Sequence, residues 1–75
     1  MKNQLENILI FATNIKTQDD KQSIKEILDH NSEIYQWHID QEDIDCVLRI
    51  ETNTLTETEI IKLVNEQNFS CKILD

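Results

Sequence analysis

Residues 7–28 of this chain are NILIFATNIKTQDDKQSIKEIL, and this stretch holds the two local signals that decide the fold. The first is the continuous apolar run at residues 7–13, which has the length and composition of a central β-strand. The second begins at Thr17, whose side chain can cap a helix that has acidic residues in its first turn. Isoleucine and leucine then recur at helical spacing. We therefore predict a strand at residues 7–13 and a helix at about residues 18–30.

A hairpin is predicted after this helix. Tyr35, Trp37 and Ile39 alternate with polar residues, which is typical of a strand that places these three side chains on one face. Residues 41–45 are polar and acidic, and the alternation resumes at Cys46. The acidic segment is therefore expected to be the turn between two strands.

The second helix has the clearest start signal in the chain. Thr56 is followed three residues later by Glu59, which is the pattern of a capping box. Leu55 and Ile60 flank this start at the spacing of a hydrophobic staple. The helix is expected to stop near Asn68, a residue that tolerates the left-handed conformation of a helix C-terminus.

A last short strand completes the pattern, and three of its side chains alternate inward: Phe69, Cys71 and Ile73. The order β-α-β-β-α-β predicts an α+β fold of the ferredoxin-like type, a two-layer sandwich. Its four-stranded antiparallel sheet has the strand order 4-1-3-2, with both helices on one face. We expect residues 1–75 to form a single domain. In this topology the first loop, the acidic turn and the turn at Asn68 lie at one end of the sheet.

Charge and composition exclude several classes of protein. Lys and Arg number 7 against 15 Asp and Glu, so a net charge of −8 disfavours nucleic acid as a partner. No apolar run approaches the roughly 20 residues that span a bilayer, and residues 1–6 lack an apolar signal core. Two cysteines are too few for a disulfide framework. We expect a cytoplasmic protein with reduced thiols and no contact with membranes.

The placed elements resemble those of the heavy-metal-associated domains, a family of copper and zinc carriers and of N-terminal domains of metal pumps. That family has the loop G-M-x-C-x-x-C, followed four residues later by Ile or Val, and here residues 14–20 precede Ile24 at this spacing. The family's second-strand pattern G-V-x-x-V-x-V-D is matched in part by Glu33, Ile34, Trp37, Ile39 and Asp40. Its G-Y or G-F before the last strand is matched in part by Asn68 and Phe69.

The chain departs from the family at the positions that bind metal. Thr17 and Asp20 stand where the family has its two cysteine ligands, and the three family glycines are replaced by Asn14, Glu33 and Asn68. A hydroxyl and one carboxylate cannot hold Cu(I) and make a poor zinc site. The resemblance therefore implies the fold without the thiolate site, and we expect neither a metal nor a cofactor. Thr17 and Asp20 are interpreted as capping residues.

A metal site with other ligands is the alternative. The topology places Cys46 and Cys71 at the same end of the sheet as Asp20, so these three residues could bind zinc or copper. Both cysteines also alternate with core residues, and free cysteine is often buried, which favours a packing role. About 10 Å, two strand spacings, separates the two backbones, which is too far for an easy disulfide.

The open face of the sheet is the predicted interface. If Ile8, Ile10 and Ala12 of the first strand face the helices, the residues that face away or flank this surface are Leu9, Phe11, His38, Val47, Arg49, Lys72 and Leu74. An apolar strip with a polar rim is typical of a contact with a protein partner or a second copy. No nucleophile elbow, phosphate loop or acid–base pair is recognisable in the sequence. We therefore expect a non-catalytic binding module, with metal binding or delivery as the alternative function.

Overall fold

A computed structural model of the chain describes residues 7–74. The elements in this range are β1 (Asn7–Thr13), α1 (Gln18–Asp29), β2 (Ile34–Asp40), β3 (Val47–Thr52), α2 (Glu57–Glu66) and β4 (Cys71–Ile73). The strands form one antiparallel sheet in the order β2-β3-β1-β4, which is the predicted order read from the other edge. The predicted fold class is confirmed. At 12 and 10 residues, the helices of the described part are too short to cross a membrane.

Both helices pack on the same face of the sheet. Ile24 and Leu28 of α1 join one apolar cluster with Ile60 and Val64 of α2. The sheet's share of this cluster consists of Phe11, Ile39, Leu48 and Ile50. Burial of each such side chain stabilises the fold by about 1.5–3 kcal/mol, so this layer between helices and sheet is the main source of stability.

The face that β1 turns toward the helices is the opposite of the one predicted. Phe11 is fully buried and pairs with Leu48, and Leu9 packs against the same core. Because side chains alternate along a strand, Ile8 and Ile10 lie on the open face together with Ala12. The prediction that Leu9 and Phe11 face away from the helices was therefore wrong. In a strand that is apolar at every position from Ile8 to Ala12, the bulky Phe11 fills the space beneath the helices.

Two large side chains near the sheet edges, Tyr35 and Ile73, are exposed. Tyr35 is 54% exposed because the pairing of β2 with β3 is irregular between Ile34 and Gln36, so Ile34 packs against the core instead. Ile73 shares the helix-facing side with Phe11, yet it is 44% exposed in an edge strand of only three residues. Ile73 therefore lies on the predicted inner side but is left exposed at the sheet edge, whereas the regular alternation predicted for β2 is interrupted at Tyr35.

The second helix begins as predicted, and the predicted turn follows it. The Thr56 hydroxyl accepts a hydrogen bond from the Glu59 amide at 3.2 Å, and the Glu59 carboxylate accepts one from the Thr56 amide at 2.8 Å. Asn68, two residues after the end of α2, has a φ of 69°, the left-handed conformation that its side chain tolerates. The first helix ends one residue earlier than predicted, with His30 as its C-terminal cap.

Candidate functional site

Three connecting segments meet at one end of the sheet, as the topology predicted. The Gln41 side chain donates hydrogen bonds to the carbonyls of Ile15 at 3.3 Å and Thr17 at 2.8 Å. On the other side, the Ser70 amide donates to the Asn14 side-chain oxygen at 2.9 Å. The loop between β1 and α1, residues 14–17, is therefore tied to the β2–β3 turn and to the segment before β4.

Thr17 and Asp20 form a complete capping box at the start of α1. The Thr17 hydroxyl accepts from the Asp20 amide at 3.0 Å. One carboxylate oxygen of Asp20 accepts from the amides of Thr17 at 3.2 Å and Lys16 at 3.1 Å. These hydrogen bonds from the backbone amides of Thr17 and Lys16 hold the pKa of Asp20 below its ordinary value. Both side chains thus satisfy backbone amides at and just before the start of α1, where helical hydrogen bonding supplies no partner.

The two cysteines lie on either side of Thr13. The Thr13 hydroxyl donates to the Cys46 carbonyl at 2.7 Å, and Thr13 pairs with Cys71 in the register of β1 and β4. Cys46 precedes β3, has a φ of 43° and is buried. Burial raises the pKa of the half-buried Cys71 thiol to about 11, so this thiol is protonated at neutral pH. The sulfur must lose this proton before it can bind a metal, and the raised pKa makes that loss more costly.

The donors proposed for the alternative metal site are not gathered into one ligand set. Within residues 7–74, no three His, Cys, Asp or Glu side chains are grouped closely enough to hold a metal ion. Asp20, Cys46 and Cys71 share an end of the sheet, as predicted, but they do not converge on a common point.

The open face of the sheet carries an apolar strip formed by residues of β1, the first residue of β3 and the residue that follows β4. Ile8 is 50% exposed, and Ile10, Val47 and Leu74 are half-buried. The Leu74 amide donates to the Ile10 carbonyl at 3.0 Å, which places these two residues side by side. We call Ile8, Ile10, Val47 and Leu74 the apolar strip. Val47 and Leu74 were predicted for this face, whereas Ile8 and Ile10 take the places predicted for Leu9 and Phe11.

Polar side chains flank the apolar strip with balanced charge. His38 and Arg49 are register partners on this face, as predicted. Arg49 donates to the Glu51 carboxylate at 2.8 Å in an ion pair. Lys72 and Asp40 lie on the same face through their pairing with Ala12 and Val47 respectively. The positive charges of Arg49 and Lys72 therefore match the negative charges of Glu51 and Asp40.

Two residues at the loop end were not recognised from the sequence. Gln41 looked like an ordinary turn residue, and its bonds to the β1–α1 loop depend on the tertiary structure. Ile44 is 92% exposed between two aspartates, beside a cleft of about 430 Å³ that Lys16 and Lys72 also line. A bulky apolar residue inside an acidic turn is the signal that could have singled out Ile44.

No protein-family model matches the sequence, and no curated protein matches it. Several solved structures are similar to the chain, and three of them are described below. The first domain of the human copper chaperone for SOD1, in its copper(I)-loaded form, is 17% identical, with a TM-score of 0.79 and coverage of 93% of this chain and 94% of that one.

The apo form of the heavy-metal-associated domain of a copper chaperone for superoxide dismutase is also 17% identical. Its TM-score is 0.81, with coverage of 100% of this chain and 74% of that one. The CsoZ metallochaperone is 18% identical, with a TM-score of 0.75 and coverage of 95% and 100% respectively. At these identities the likeness establishes the fold alone. The chain has the fold of the heavy-metal-associated domains, as the resemblance in its sequence indicated.

Proposed function

We propose that this chain is a small non-catalytic protein-binding module, built on the fold of the heavy-metal-associated domains, and that it binds its partner through the open face of the sheet. One observation carries the proposal: the apolar strip of Ile8, Ile10, Val47 and Leu74 lies exposed or half-buried between flanking residues of balanced charge. An apolar centre with a polar rim is the usual composition of a protein interface.

Charge supports the choice of this surface. The chain as a whole has a net charge of −8, whereas the charged residues that flank the apolar strip cancel one another. A partner that covers this face buries apolar area without approaching an excess of negative charge, so association there faces little electrostatic opposition. Contact with protein through this face is the proposed activity, and the cytoplasm is the proposed location.

The β1–α1 loop has a structural role in this proposal. Thr17 and Asp20 occupy the loop positions where the resembling family has its metal-binding cysteines, and their polar atoms are engaged in capping α1. The similar chaperones are described as copper-loaded or as metallochaperones. For this chain we propose neither a bound metal nor another cofactor.

Affinity capture with matched variants tests the proposed surface. Immobilised wild type, Ile10→Glu and Asn65→Glu are each exposed to a lysate of the source cells, and retained proteins are quantified by mass spectrometry. Both variants add one negative charge, but Asn65 lies exposed on α2, away from the sheet. Each retained protein is then purified, and its affinity for the three forms is measured by calorimetry.

We expect a partner that binds the wild type and Asn65→Glu alike and binds Ile10→Glu at least tenfold more weakly. Circular dichroism checks that both variants are folded. Partner binding that is unaffected by Ile10→Glu would contradict the proposal, as would equal weakening by the two variants or the absence of any retained protein.

A further inference from the structure

Among residues 7–74, the outer edge of β2 is the longer free edge of the sheet. In the order β2-β3-β1-β4, β2 has seven residues and the opposite edge strand β4 has three. Edge strands are commonly protected by shortness, lysine, proline or a bulge. β4 is short and carries Lys72, whereas β2 has neither lysine nor proline and is irregular only between Ile34 and Gln36. Residues 36–40, which we call the β2 edge, are therefore regular and open to pairing.

The β2 edge itself carries a single negative charge. Within residues 36–40 only Asp40 is an acidic residue, and no Lys or Arg is present. Lys21 and Lys25 of α1 line a cleft together with Trp37 and His38 of β2. Lys25 is paired with Asp29 at 2.7 Å, and Asp29 also accepts from the Trp37 indole at 2.7 Å, so Lys21 adds the positive charge that offsets Asp40 beside the strand. The β2 edge is thus a place where two copies of a chain with a net charge of −8 can approach each other.

We propose that two copies of the chain pair antiparallel through their β2 edges, about a two-fold axis at His38, and form a continuous eight-stranded sheet. Such an axis places Gln36 of each copy opposite Asp40 of the other. Trp37 then faces Ile39 of the second copy, and the two His38 side chains face each other. Because His38 is the midpoint of residues 36–40, this register pairs every residue of the β2 edge.

Each pair in this register is chemically compatible. Gln36 and Asp40 are exposed, and an amide of the first can donate to the carboxylate of the second. Trp37 and Ile39 lie on the helix side, where Ile39 is already buried within each copy, so this pair creates no conflict but adds little new apolar contact. The two Asp40 residues are four positions apart along the strands, about 13 Å, which exceeds the screening length of about 8 Å at physiological salt.

The dimer is expected to be weak. Pairing of five residues buries less area than the roughly 800 Å² per partner of a standard stable interface. Association should therefore be visible only in the roughly micromolar to millimolar range. The inference does not depend on the proposed function, because it concerns the edge of the sheet and leaves the apolar strip uncovered.

Sedimentation velocity between about 1 µM and about 1 mM tests the proposal. Wild type is compared with His38→Lys and with Asn65→Lys, which makes the same change of charge on the exposed surface of α2. We expect wild type and Asn65→Lys to dimerise with rising concentration, and His38→Lys to need at least tenfold more protein because two lysines would face each other across the axis. A monomer at every concentration, or a dimer unaffected by His38→Lys, would overturn the proposal.

A cross-linking experiment tests the register directly. His38→Cys and Asn65→Cys are oxidised mildly, with wild type as the control for the native cysteines. Residues that face each other across antiparallel strands have Cα atoms about 4.5–5.5 Å apart, which is within the range for a disulfide. We expect a covalent dimer of His38→Cys alone. Equal cross-linking of both variants would contradict the register, and loss of the dimer in Ile10→Glu but not in His38→Lys would assign dimerisation to the open face instead.

Discussion

Replacement of Thr17 by alanine tests whether the β1–α1 loop is a helix cap. The change removes the hydroxyl that accepts from the Asp20 amide at 3.0 Å, while the bonds from the amides of Lys16 and Thr17 to the Asp20 carboxylate can remain. Loss of a threonine cap typically costs about 1 kcal/mol, within a range of about 0.5–2 kcal/mol. In a domain of this size, 1 kcal/mol lowers the melting temperature by about 4–8 °C.

The second capping box provides a matched control. The Thr56 hydroxyl accepts from the Glu59 amide at 3.2 Å in the same arrangement. This capping box lies outside the loop in which the resembling family binds metal. Urea unfolding of wild type, Thr17→Ala and Thr56→Ala is followed by the fluorescence of Trp37, the single tryptophan. We expect both variants to lose a similar free energy of unfolding, with unchanged m-values.

The result that would refute this reasoning is a Thr17→Ala protein that is as stable as wild type, or more stable, while Thr56→Ala is destabilised. Functional sites often retain residues at the expense of stability. A gain of stability at Thr17 alone would therefore indicate that the loop is kept for a purpose other than capping.

Three further predictions concern the pH dependence, the cysteines and the orientation of β1. The pKa of Asp20 in the folded protein lies below its ordinary value, so its contribution to stability is present above about pH 5 and is lost as pH falls through the folded pKa. In urea unfolding between about pH 5 and about pH 2, Asp20→Asn should therefore lose less stability than wild type. An equal loss would contradict the prediction. Burial raises the pKa of Cys71 to about 11, so iodoacetamide at about pH 8 should modify this thiol at least tenfold more slowly in the native protein than in urea. The rates are measured by mass spectrometry, and equal rates would count against the burial of Cys71. Phe11→Ala should lower the free energy of unfolding by about 3–5 kcal/mol, because removal of the buried ring leaves a cavity in the core. Ile10→Ala on the open face should lower it clearly less. The reverse order would show that the two faces of β1 are misassigned.

Local signals predicted most of the fold. A capping box is a contact between residues three positions apart, so the pattern at Thr56 and Glu59 is complete in the sequence and needs no knowledge of the rest of the chain. The same holds for Thr17 at the start of α1 and for Asn68 after α2. Once the order of helices and strands was fixed, few sheet topologies remained for so short a chain.

The orientation of β1 could not be predicted from local signals. Ile8, Leu9, Ile10 and Phe11 are all apolar, so no alternation tells which side faces the helices. Burial of Phe11 is decided by the space between the two layers, which depends on the tertiary packing. The irregular pairing beside Tyr35, which interrupts the predicted alternation of β2, has no local signal either.

The candidate site was predicted in outline. Its location at one end of the sheet followed from topology, and the capping role of Thr17 followed from residue type. The hydrogen bonds from Gln41 to the loop join residues that are 26 and 24 positions apart, and spacing in the sequence gives no sign of them. The apolar strip was recognised as a surface, but half of its residues were taken from the wrong side of β1.

Metal titration tests most directly the claim that the β1–α1 loop serves the helix instead of holding a metal. Wild type and the double variant Thr17→Cys, Asp20→Cys are titrated with Zn(II) and with Cu(I) under reducing conditions, and the complexes are observed by native mass spectrometry. We expect no stoichiometric complex of the wild type and a one-to-one complex of the double variant, because two thiolates supply the soft ligands that its loop otherwise lacks. A tight one-to-one complex of the wild type that is lost on Cys71→Ser would contradict the claim.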